Sequence, residues 1–228
     1  MKLRDRLAEI ERQLLTVIDA QERAALTAAI ERLRMMQIVE QGLAPGDLLP
    51  DFALPDTSGR TVASAELLDR GPLVLAFFRG PWCPYCSLMV EALDQLRPQV
   101  EALGGSCVAV APLGPHELAA MARERGLGLT LLSDADSSYA GVCGVRFEMT
   151  PESTALYAGL AARFDQTIAG MDAPGGWVLP VPTTYVAGRD GVIVYSFGDA
   201  NWARRAEPDE ILAAVERLVR PPGPAASA

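Results

Sequence analysis

Two apolar runs of strand length, "LVLAFF" (73–78) and "SCVAVA" (106–111), flank one helix-length segment that begins at Cys83. Runs this uniformly apolar predict strands buried on both faces, and two such strands joined through a helix form a parallel pair with a right-handed crossover. The alternation continues through a helix over "GPHELAAMARERG", a short strand at "LTLLSD" and a short helix in "DSSYAGVCGV". "TTYVAGRDGVIVYSF" then predicts an antiparallel hairpin turning at Asp190-Gly191. "EPDEILAAVERLV" closes the pattern as an amphipathic helix with Pro208 near its first turn. The fold class is α/β: a three-layer α/β/α sandwich in which a parallel pair is continued by the hairpin.

The flanking segments fall outside that alternation. Residues 1–42 predict a helical hairpin. Leu3, Leu7, Ile10, Leu14 and Val17 form a heptad seam, and "DAQE" (19–22) opens a second helix carrying Leu26, Ile30 and Leu33. Two readings of this arm stay open: it packs on its own domain, or residues 1–41 make a homodimer. The Pro-, Gly- and Asp-rich stretch "GLAPGDLLPDFALPDTSGRTV" marks a boundary near residue 43 and holds two short strands, 52–54 and 60–62. The main domain runs over 43–220. Within it, 147–180 fits the alternation poorly and reads as an insertion holding Phe147, Phe164 and Trp177, while 221–228 reads as a disordered tail.

Charge and composition exclude several functions. A net charge of −9 leaves no surface suited to phosphates, so nucleic acid is not an expected partner. The apolar runs are too short to cross a bilayer, so no membrane is expected either. "MKLRDRLAEI" lacks the apolar centre of an export signal, which points to the cytoplasm, where thiols are kept reduced. The chain has one histidine, His116, and one lysine, Lys2. That argues against a histidine metal cluster, a serine triad or a Schiff base, and no metal or other cofactor is expected.

Chemistry concentrates in "WCPYC", Trp82 to Cys86. Cys83 falls where strand gives way to helix, with Pro84 as the first helical residue. Unpaired N–H groups and the helix dipole favour an anion there, and such thiols fall to roughly 3.5–7.5 against about 8.5 for free cysteine. Cys86 lies one turn further in, within reach of a disulfide. Cys83 is therefore expected to attack, and Cys86, more buried and titrating higher, to resolve. A structural zinc needs four ligands, and no second closely spaced pair exists. Cys107 and Cys143 read as small core residues.

The pentapeptide resembles the CPYC site of glutaredoxins preceded by the tryptophan of thioredoxins. "VPTTYVAGRDGVIV" is similar to the thioredoxin-fold segment in which a cis-proline precedes a hairpin. That resemblance implies a cis Pro182 facing Cys83 and a Val181 backbone that binds an extended substrate. Over nearly the whole chain, "PGDLLPDFALPDTSGRTVASAELLDRGPLVLAFFRG", "LLSDADSSYAGVCGV" and "AGRDGVIVYSF" resemble the alkyl hydroperoxide reductase and thiol-specific antioxidant family, the peroxiredoxins. Membership implies a thioredoxin-like fold and reduction of hydroperoxides. Peroxiredoxins carry Thr or Ser three residues before the attacking cysteine and an arginine before the strand that here reads "TTYV". This sequence has Gly80 and Pro182 at those places. Arg79 is a candidate replacement for the arginine, whereas Arg204 and Arg205 read as solvated surface charges.

Two activities fit these residues. One is a thiol peroxidase in which Cys83 takes an oxygen from a hydroperoxide and Cys86 closes a disulfide, reduced in turn by a thioredoxin- or glutathione-type donor. The other is a disulfide oxidoreductase using the same cysteines on a substrate disulfide. A non-catalytic interaction protein built on the helical arm is the third and weakest reading.

Overall fold

In the computed structural model, which describes residues 1–163 and 177–220, five strands form the central sheet in the order β5-β4-β3-β8-β9. β3 (Leu73–Phe77), β4 (Ser106–Ala111) and β5 (Thr130–Ser133) run parallel, and β8 (Thr183–Ala187) and β9 (Ile193–Gly198) continue antiparallel. Every residue of β3, β4 and β8 is buried, as strands covered on both faces must be.

The two crossovers are α4 (Pro84–Ala102) and α5 (Pro115–Arg125). α4 packs on β4 and against the closing helix α8 (Pro208–Val219), which also reaches β8 and β9. Phe77 packs against both Tyr185 and Tyr139 of α6 (Ser138–Val142), and Tyr139 in turn meets Phe52. The Phe52–Tyr139 rings lie 5.1 Å apart edge to face. Such edge contacts add to area burial. Buried Asp134 orders the start of α6 by accepting the N–H groups of Tyr139 and Ala140 at 3.0 and 2.9 Å.

A small antiparallel hairpin, β1 (Ala53–Pro55) with β2 (Thr61–Ala63), lies one residue further along than the sequence places it. α3 (Ser64–Leu68) links it to β3.

The N-terminal helices α1 (Leu3–Val17) and α2 (Ala20–Met35) are joined at Asp19. Its carboxylate accepts the Glu22 N–H at 2.8 Å while Glu22 accepts the Asp19 N–H at 3.0 Å, completing the capping box. In this chain the arm packs on its own domain, α1 against α4 and α2 against α7 (Pro151–Ala162). Leu3, Leu7, Leu26 and Leu33 are buried there, while Val17 stays 46% exposed. Arg6 pairs with Glu91 at 3.1 Å, the Arg4 N–H donates to Glu207 at 2.7 Å, and Arg163 pairs with Glu22.

The segment read as an insertion is bracketed by an antiparallel stem, β6 (Arg146–Glu148) with β7 (Val178–Pro180), and contains α7. Part of it, 164–176, and the tail 221–228 lie outside the described residues.

The arm meets the core at Gly144. Its φ is +73°, and a Cβ there would stand 2.2 Å from the Gln41 carbonyl oxygen. Gly144→Ala should therefore destabilise by roughly 1–3 kcal/mol and lower Tm by several degrees, whereas Gly159→Ala, in open space within α7, should be neutral or slightly stabilising. Calorimetry of both variants checks this. Equal Tm values would mean that the close approach of residue 41 does not exist.

Candidate active site

β3 delivers a charge to the base of the site. After Phe78, whose N–H donates to Val110 at 2.9 Å, the chain presents Arg79, 2% exposed, and turns through Gly80 and Pro81. The Cys83 N–H closes the turn on the Gly80 carbonyl at 3.3 Å, and Ser87 Oγ donates to the Pro81 carbonyl at 3.2 Å. Gly80 has φ +141°, and a Cβ would lie 2.8 Å from Trp82 Nε1. A hydroxyl-bearing side chain at this position would collide with the indole, so glycine here is a steric requirement of the turn.

Cys83 is the N-cap of α4 and Pro84 its first residue, but no helix N–H donates to the sulfur. Arg79 takes that place, its Nη2 donating to Cys83 Sγ at 3.1 Å. The guanidinium carbon lies 5.1, 5.4 and 5.6 Å from the ring centres of Trp82, Trp202 and Tyr157, a three-sided aromatic cage. Trp82 stacks on Trp177 at 5.0 Å, and Tyr157 stands edge-on to both Trp82 and Trp202. The cage thus draws on the active turn, α7, the stem and the loop after β9.

Cys86 faces a second buried cation. Arg205 Nη2 donates to Cys86 Sγ at 3.4 Å, while its Nη1 is held by the Trp202 and Arg204 carbonyls. Arg205 is only 6% exposed, which corrects its reading as a solvated charge. Arg204 does lie in solvent, its side chain 69% exposed and 3.5 Å from Asp199.

The two thiols form a tightly coupled buried pair. Burial pushes Cys83 well up, and its hydrogen bond to Cys86 adds to that, with Arg79 opposing. Burial also acts on Cys86, but the hydrogen bond from Cys83, Arg205 and Arg79 together hold it well below the usual thiol range. The two sulfurs share one proton between two guanidiniums, so they titrate as a pair. The one negative charge faces Arg79 when it is on Cys83 and Arg205 when it is on Cys86. Burial lifts Cys107 and Cys143 to about 12, as suits core packing.

Above Cys83 is an apolar cavity of about 410 Å³. Its roof is the arm, with Ile10, Leu14 and Val17 from α1 and Leu26 from α2; Leu160 of α7 forms a wall, and Arg79, Cys83 and Tyr157 the base. The outer part of the heptad seam therefore lines a cavity. Cys86 is not among the lining residues, so only Cys83 is reached from this side.

Val181 and Pro182 do not line it either. The peptide bond before Pro182 is trans, not cis as expected, because the chain runs extended from β7 into β8. The Val181 N–H, expected to be free for a substrate, donates to Val145 at 2.8 Å, and its carbonyl accepts Thr183 Oγ1 at 3.0 Å.

A sequence model of the AhpC/TSA family matches residues 45–196. The putative peroxiredoxin MT1643 of Mycobacterium tuberculosis is 31% identical over 101 residues, 44% of this chain and 66% of that protein. Peroxiredoxin Bcp of Escherichia coli is 28% identical over 103 residues, 45% of this chain and 65% of that one. The chain thus spans slightly less than two thirds of the length of these relatives. Among solved structures, peroxidoxin BcpB of M. tuberculosis superposes with a TM-score of 0.59 at 22% identity, covering 77% of this chain and 98% of that one, which establishes the shared fold.

Gly80→Thr, which restores a hydroxyl by sequence, should displace Trp82, shift the tryptophan emission and cost roughly 1–3 kcal/mol. Fluorescence spectra and thermal melts check this. An unchanged spectrum and Tm would show that the turn has room for a side chain.

Proposed function

Because the chain belongs to the AhpC/TSA family, we propose that it is a thiol-dependent peroxidase whose attacking group is Cys83. The observation that carries the reading is the 3.1 Å contact between buried Arg79 and Cys83 Sγ at the base of an apolar cavity. A fixed cation in a water-poor site stabilises both the thiolate and the charge that grows on the leaving oxygen, without reorganisation during reaction. Arg79 does this from the end of β3, where the resemblance led to an arginine near Pro182.

The Cys83 thiolate forms a bond to the terminal hydroperoxide oxygen, the O–O bond breaks, and the electron pair leaves on the alkoxide, which becomes an alcohol on gaining a proton. Cys83 is left as sulfenic acid. Cys86, which holds the shared proton while Cys83 is the thiolate, then attacks that sulfur, and its proton goes to the expelled hydroxide, which leaves as water. The product is the Cys83–Cys86 disulfide. Two electrons from a cytoplasmic thioredoxin- or glutathione-type donor restore the thiols.

Disulfide exchange with a protein substrate is less well served. The Val181 N–H that an extended substrate would use is already bonded to Val145, and the arm covers the approach to Cys83.

The test is stopped-flow oxidation of the reduced protein by hydrogen peroxide and by cumene hydroperoxide, followed by tryptophan fluorescence. A free WCPYC peptide is the reference and Cys83→Ser the blank. The expected rate exceeds the peptide's by orders of magnitude, with Cys86→Ser still reacting once but accumulating sulfenic acid. A rate equal to the peptide's would refute the peroxidase and leave disulfide exchange.

A further inference from the structure

We propose that the Tyr157 hydroxyl is a catalytic hydrogen-bond donor to the hydroperoxide, supplied by α7 in place of the side-chain hydroxyl that Gly80 cannot carry. The inference rests on the peroxidase reading and adds the group that stabilises the leaving oxygen.

Three observations converge. The Tyr157 hydroxyl is buried beside the Arg79 guanidinium, and its proton finds no acceptor among the described residues. A buried hydroxyl whose proton has no acceptor is costly, so one that persists calls for an explanation. Tyr157 also lines the same cavity as Cys83 and Arg79, which puts the phenol on the face from which a substrate meets the sulfur. Finally, its ring is fixed edge-on between two indoles, at 5.8 Å and 75° to Trp82 and 5.7 Å and 70° to Trp202. The phenol is held ready and needs no rearrangement on binding.

Arg79 strengthens the case. One guanidinium nitrogen is spent on Cys83, but its Nε also has no partner among the described residues. Arg79, Tyr157 and Cys83 thus meet at the base of one cavity, two donor side chains beside one nucleophile, a set suited to a two-oxygen ligand. Burial lifts the Tyr157 pKa to about 12, with Arg79 pulling the other way, so the phenol keeps its proton at neutral pH.

During transfer the Cys83 electron pair enters the S–O bond and the O–O pair moves to the leaving oxygen. Tyr157 donates its hydrogen bond to that oxygen and passes its proton as the alkoxide forms. The alcohol departs, and solvent returns one proton to the phenolate. Attack on a carbon electrophile such as iodoacetamide has no leaving oxygen and does not use this donor.

Tyr157→Phe keeps the ring and removes the hydroxyl. In the full-length reduced protein, its second-order rate with cumene hydroperoxide should fall about 10²-fold, while iodoacetamide alkylation of Cys83 and the Tm stay at wild-type values. Wild-type peroxide reactivity retained in Tyr157→Phe would overturn the assignment and leave the peroxidase intact. A parallel drop in alkylation would also overturn it, placing the effect on the thiolate. If the wild type reacts no faster than the WCPYC peptide, the peroxidase reading falls and the role of Tyr157 with it.

Discussion

Everything at this site depends on one buried cation. Arg79 is almost wholly removed from water, and the groups that interact with its charge are Cys83, Tyr157 and Cys86, not carboxylates. Burying an unpaired charge is prohibitively costly, so the guanidinium needs an anion and the buried thiols need a cation. Burial works against the Arg79 charge, but the neighbouring thiols hold its pKa above the ordinary range. Each partner makes the other's charge tenable. The aromatic cage completes the balance, because three ring faces attract a cation without neutralising the thiolate.

The same constraint accounts for parts of the chain outside the central sheet. A cage needs walls, and Tyr157 comes from α7 and Trp177 from the foot of the stem, both within the segment that interrupts the α/β alternation. A desolvated site also needs a roof, which α1 and α2 supply with the outer part of their apolar seam. The tie from Arg163 to Glu22 joins that roof to the wall.

Much of the fold was legible because it follows from periodicity and turn chemistry. The apolar runs at 73–78 and 106–111, the Asp190-Gly191 turn and the capping box at Asp19 each specify a local structure from a few neighbouring residues. The candidate site was legible only in its thiols. Arg205 stands in a run of charges that reads as solvated, and it is buried where it meets Cys86, 119 residues away in sequence, a tertiary event. Tyr157 belongs to a segment with no period to place it. The charge of the thiol pair is held by two arginines distant in sequence, 79 and 205, which a helix-dipole argument does not include. The bond before Pro182 likewise departs from the segment it resembles: it is trans, and the neighbouring Val181 N–H is bonded to Val145.

The central claim, that Arg79 and one shared thiolate sustain each other, is tested most directly by titrating the thiolate ultraviolet absorbance against pH in the wild type and in Arg79→Met. The account predicts that the wild-type pair loses one proton well below the free-cysteine value of about 8.5 and the second far above it. In Arg79→Met the first step should move upward. Two wild-type thiols titrating together near the free value, or a first step indifferent to the loss of Arg79, would contradict it.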